Sequence, residues 1–188
     1  MDITSLKQVY QDCFVVVQAS KNHIAGTVMV FVVGVLIGAC FPDTFAETLM
    51  PILKDLVQQT QGLSWGALTV FIFHNNFTAA VIGMLSGLLL FLIPYLHANA
   101  NGIVLGFVLQ RAGELTGSTQ WWKLIPHGIF ELPAVFIALG LGVYLGLFWQ
   151  EEDKLAAAKQ RLLVCLKTCA LVVAPLLVIA AIIEASMA

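Results

Sequence analysis

His127 and Glu131 stand four residues apart in IPHGIFELPA, inside one of the most apolar parts of the chain. That spacing puts both side chains on one face of a helix. Other polar groups interrupt apolar runs elsewhere: His74, Asn75 and Asn76 in FIFHNNF, then Asn99 and Asn101, Arg111, and Glu184 near the end. Polar groups in hydrocarbon cost free energy unless partnered. Ionisable residues in membrane segments are therefore candidate functional sites, with partners expected.

Three chemistries fit the His127–Glu131 pair. The two can form a buried hydrogen-bonded pair, joined by Arg111 and Asn75. They can line a pocket for a small polar solute or a lipid headgroup. They can also ligate a divalent metal, the one cofactor the residue types allow. A zinc site needs three or four protein ligands, and only His74 offers a third. No serine has a suitably placed histidine, and neither a Gly-rich phosphate loop nor HExxH occurs. A catalytic site is therefore not expected.

The composition says what positions these residues. Of 188 residues, 60% are hydrophobic and 11% charged, with mean hydropathy +0.92. Soluble domains carry about 25% charged residues, so this is an integral membrane chain. Between Asp55 and Arg111 no charged residue occurs. A net charge of −2 argues against nucleic acid as a partner, because phosphate binding needs a basic surface. Cys13, Cys40, Cys165 and Cys169 lack CxxC spacing and read as small apolar side chains.

A crossing helix needs about 20 apolar residues. The sequence predicts a single all-α domain, a polytopic bundle of about five transmembrane helices: 24–41, 67–93, 94–112, 125–149 and 162–184. The first run is long enough to stay as an anchor. Amphipathic interfacial helices are expected over 1–23 and 42–62, the second bent at Pro51. Span 94–112 is the ambiguous one, and charge decides it. Lys7 and Lys21 precede the first span, and Lys154, Lys159 and Arg161 follow the fourth. Five crossings put both groups on one side, which the positive-inside rule makes cytoplasmic. The N-terminus is then cytoplasmic and the C-terminus outside the cell membrane. This topology gathers His74, Asn75, Asn76, Arg111, His127, Glu131 and Glu184 in the outer half, with Asn99 and Asn101 on the inner side. Pro126 suits a first helical turn, and Pro133 is expected to kink its helix.

Glycine pairs at 34/38, 83/87, 102/106 and 142/146 have GxxxG spacing. Small residues four apart let helices approach closely in lipid, either within the bundle or across a homodimer. Membrane lipid and other membrane proteins are the expected partners.

NN at 75–76, NG at 101–102 with GF at 106–107, PHGIFELPA at 126–134 and IIEA at 182–185 occur in this order. In these motifs, from about Ile24 onward, the chain resembles the stage II sporulation protein M family of small bacterial and archaeal membrane proteins. The resemblance implies a membrane scaffold, which in endospore formers anchors a peptidoglycan hydrolase and a further membrane partner during engulfment. It also marks Asn75, Asn76, Asn101, Gly102, Pro126, His127, Gly128, Glu131, Pro133 and Glu184 as the motif residues. A carrier or pocket protein is the alternative function, and a metal-dependent membrane enzyme a further one.

Overall fold

The computed structural model describes the backbone of residues 3–116 and 125–187, and the side chains of 7–111 and 128–187. Among the described residues every regular element is helical. In order they are α1 (Ile3–Ala19), α2 (Lys21–Cys40), α3 (Pro42–Thr60), α4 (Trp65–Leu85), α5 (Ile93–Thr116), α6 (Ile125–Gly146), α7 (Lys154–Thr168) and α8 (Ala174–Met187). A 3-10 turn extends α4 to Leu88, and another extends α6 to Gln150.

Local chemistry sets several of these limits. Ser64 caps α4 by accepting from the Ala67 amide, and Asp153 caps α7 by accepting from Ala156. Both satisfy amide groups that a helix start leaves unpaired. A π-turn over Cys169–Val173 joins α7 to α8. Pro175 follows it after one residue, Ala174. Its missing N–H and its ring disturb the preceding turn, and one wide turn absorbs the disturbance. By contrast α6 runs unbroken through Pro133, which is exposed, and α3 runs unbroken through Pro51.

Four helical stretches are long and apolar enough to cross a membrane: Lys21–Cys40, Trp65–Leu88, Gly128–Gln150 and Lys154–Met187. Helix α5 matches them in length, but Asn99, Asn101 and Arg111 make it more polar. Its direction comes from its neighbour. Gly34 of α2 lies against Asn99 and Gly102, and Gly38 against Ile103 and Phe107. The numbers rise together, so α2 and α5 are parallel. Helices α4 and α6 are parallel in the same way, with Gly83 on Leu139 and Gly87 on Gly142. Helix α6 is antiparallel to α2, since Gly140 meets Ile24 and Phe136 meets Phe31. Helix α8 is antiparallel to α4, since Ser186 meets Trp65 and Cys169 meets Met84. Helices α2, α5 and α7–α8 therefore run one way, and α4 and α6 the other.

Glycine makes the two parallel contacts. A Cβ on Gly34 would strike the Asn99 carbonyl oxygen, and one on Gly102 would strike that of Phe31. The Gly38 and Gly106 positions repeat this reciprocity with Ile103 and Val35. On the other pair, Gly87 and Gly146 face Gly142 and Gly87 backbone. All four GxxxG pairs thus face helices of the same chain, as small-residue packing in lipid requires.

Helix α6 sits at the centre, with 56% of its apolar window buried, against 28% or less for the other three. Its stripe Ala134, Ala138, Leu141 and Leu145 packs on Ala80, Met84, Cys165, Cys169, Val173 and Leu177. Helix α1 buries Cys13 and Val16, so it docks on the bundle. Helix α3 buries no residue at all.

Candidate functional site

Helices α4 and α5 leave the short turn at 89–92 together and then separate. Near the turn they touch, with His97 Nδ1 beside Gly83. Farther along, a cavity of ≈ 310 Å³ lies between them and α6. Asn75, Asn76, Asn101 and Glu131 supply its polar atoms, and Phe31, Val135 and Leu139 part of its apolar wall. A second cavity of ≈ 660 Å³ shares Asn75, Asn76, Val104 and Glu131 with the first. Because these shared residues stand between them, the two are adjoining lobes. The outer lobe adds Glu184 from α8, and Leu56, Val57, Thr60 and Gln61 from the end of α3 form its roof.

Helix geometry explains the assembly. Asn76, Ala79 and Ala80 follow Ile72 at spacings of four, three and one, so they share the inward face of α4. His74 points away and is exposed. On α6, Glu131 lies about 9 Å along the axis from Ile125, at 1.5 Å per residue. The adjoining Gly128, Leu132 and Val135 also line the cavity. The small Gly128 and Ala79 leave room that larger side chains would fill.

Asn75 donates to Asn76 Oδ1 at 3.4 Å. Asn75 and Asn101 are exposed to the space, and Asn76 and Glu131 are half-buried. Among the described residues, these polar groups line a cavity. Asn101 departs from its expected inner depth. The parallel packing on α2 raises it to the cavity, since Gly102 lies against Phe31 and Gly34. Asn99 turns the other way and donates to the Val30 carbonyl at 3.2 Å.

Arg111 stands apart from the cavity. It forms an ion pair with Asp43 at the start of α3. That pair ties α3 to α5. The His127 side chain lies outside the described residues, as does that of Pro126. Among the described residues, no group of three His, Cys, Asp or Glu side chains could hold a metal ion.

The family model for stage II sporulation protein M matches residues 27–188. The chain belongs to the stage II sporulation protein M family. No curated protein and no solved structure matches it. The family match covers α2 through α8 and leaves most of α1 outside. It therefore spans every residue lining the two lobes. Of the motif residues named from sequence, Asn75, Asn76, Asn101, Gly128, Glu131 and Glu184 line them. Gly102 instead holds α5 against α2.

Sequence reasoning missed the roof from α3 and the walls Val104, Leu105 and Val108. It also missed Asp43 as the partner of Arg111. The apolar lining had no signal, because in so apolar a chain such residues are indistinguishable from lipid-facing ones.

Proposed function

We propose that this stage II sporulation protein M family member is a five-span membrane protein whose outer-half cavity binds an amphipathic ligand with a polar head. One observation carries this reading. Two adjoining lobes place three asparagine amides and two carboxylates among apolar walls. Small-molecule sites have this character, mostly apolar with a few placed polar groups. A structural cluster would instead close its hydrogen bonds internally, since unpaired buried polar groups cost about 1–3 kcal/mol each.

The alternating helix directions support five crossings. Helix α5 lies along α2 through its length and shares its depth. The basic groups then put the N-terminus and the α6–α7 connection on the cytoplasmic side. The cavity faces outward under that orientation.

Cavity filling tests the reading. Ala79 lines the inner lobe, so Ala79→Phe should occupy it without touching the helix contacts. Native mass spectrometry of gently purified wild type should show a bound mass that A79F lacks, at unchanged melting temperature. A bare wild-type chain, or an adduct that survives A79F, would contradict a pocket.

A scaffold role remains a second reading, favoured by α3. Ile52 and Val57 are 59% and 63% exposed there, on an outer helix with no buried residue. Such a face suits a membrane surface or a partner chain. A photocrosslinker at Ile52 should capture a discrete protein if the face recruits one, and only lipid if it does not.

A further inference from the structure

The cavity has a sign. Glu131 and Glu184 both line the outer lobe, and Glu131 also lines the inner one. Among the described residues no Lys, Arg or His lines either lobe. Arg111, the nearest basic group in sequence-based reasoning, is engaged with Asp43. The Glu131 carboxylate, common to both lobes, favours a cation beside it in a low-dielectric space, because Coulomb energies grow as the dielectric falls.

The acceptors narrow the cation further. Asn75 gives an N–H to Asn76, which leaves the Asn75 side-chain oxygen available to a ligand. The Asn101 amide and the Glu131 carboxylate have no hydrogen-bond partner among the described residues. Three acceptor groups therefore surround one space. A primary ammonium carries three N–H donors and matches them. A quaternary ammonium has none, and its recognition uses aromatic cages. Among the described residues one aromatic lines each lobe, Phe31 in the inner and Phe71 in the outer.

Size and surroundings decide what carries the ammonium. The inner lobe narrows between Phe31, Leu105, Val135 and Leu139, which suits an alkyl chain. Asn75 and Ala79 on α4 and Asn101 on α5 are exposed, so the polar part is reachable from outside the bundle. We infer that the cavity takes a primary-amine amphiphile from the outer leaflet, its ammonium at Glu131, Asn75 and Asn101 and its chain along the apolar wall. This rests on the pocket reading above and names the ligand class of that site.

The test uses the purified full chain in neutral detergent micelles and native mass spectrometry. The probes are octylammonium, octyltrimethylammonium, octyl phosphate and putrescine. Octylammonium should bind at least tenfold more tightly than each of the other three. Glu131→Gln should weaken octylammonium at least tenfold while the melting temperature stays within about 2 °C of wild type. Asn101→Leu provides an independent arm and should weaken it several-fold. Equal binding of octylammonium and octyltrimethylammonium would overturn the N–H match. Equal binding of putrescine would overturn the amphiphile. Undiminished binding by E131Q would overturn the site. An A79F-sensitive adduct in wild type, with octylammonium excluded, would leave the pocket standing and sink only this inference. Absence of any A79F-sensitive adduct would sink both.

Discussion

Gly38→Ala is a sharp perturbation of the bundle, because only backbone stands in its way. A Cβ there would sit 2.9 Å from the Phe107 nitrogen and 2.9 Å from the Ile103 carbonyl carbon, and nearer still to the Ile103 oxygen. Ordinary contact begins at 3.4 Å. No side chain can rotate aside, so α2 and α5 must part by half an ångström or more along a packed seam. Overpacking costs about 1–3 kcal/mol, and a backbone clash belongs at the top of that range. Replacing a helical glycine by alanine returns about 0.5–1 kcal/mol. The net loss is about 2 kcal/mol. For a chain of this size 1 kcal/mol shifts the melting temperature by about 2–4 °C, so G38A should melt about 4–8 °C below wild type in detergent. Gly66 is the control, since an added Cβ there meets nothing within 4 Å. G66A should match wild type or exceed it slightly. If G38A melted with wild type, the close α2–α5 seam would be refuted.

Other perturbations separate local from global roles. Arg161→Lys should lower stability by about 1–2 kcal/mol, read by thermal melting. It keeps the charge but loses the planar fork, which donates to the Tyr144 carbonyl at 2.8 Å and also pairs with Glu151. Asp43→Asn should leave the melting temperature within about 2 °C, because exposed ion pairs contribute about 0–1 kcal/mol. Hydrogen exchange along α3 should nevertheless quicken, since Asp43 tethers it to Arg111. Asn99→Ala should cost about 0.6 kcal/mol, the average for such bonds in membrane proteins, through its link to Val30. Of the four thiols, only Cys40 is exposed, so maleimide should label it alone in the folded protein and all four after unfolding.

Much of this architecture was legible in the residues. Long apolar runs gave the helices, and GxxxG spacing marked the seams between α2 and α5 and between α4 and α6. Polar residues in apolar surroundings, Asn75, Asn76 and Glu131, marked where the cavity lies. Pairing was harder to read. That Arg111 turns to Asp43, and that Asn101 joins the cavity while Asn99 leaves it, depends on the register of α5 on α2. One residue of slip rotates every side chain by about 100°. The roof from α3 was hidden too. Leu56 and Val57 look the same in sequence whether they meet lipid or close a pocket.

The central claim is that one cavity, reached from outside, descends to Asn101 in mid-bundle. Its most direct test is thiol accessibility in intact cells. In a Cys40→Ser background, Asn101→Cys should react with a small cationic methanethiosulfonate added outside. Val33→Cys, exposed on α2 where that helix faces away from the bundle, should stay unmodified at the same depth. An inert N101C, or a V33C that reacts as fast, would contradict the account.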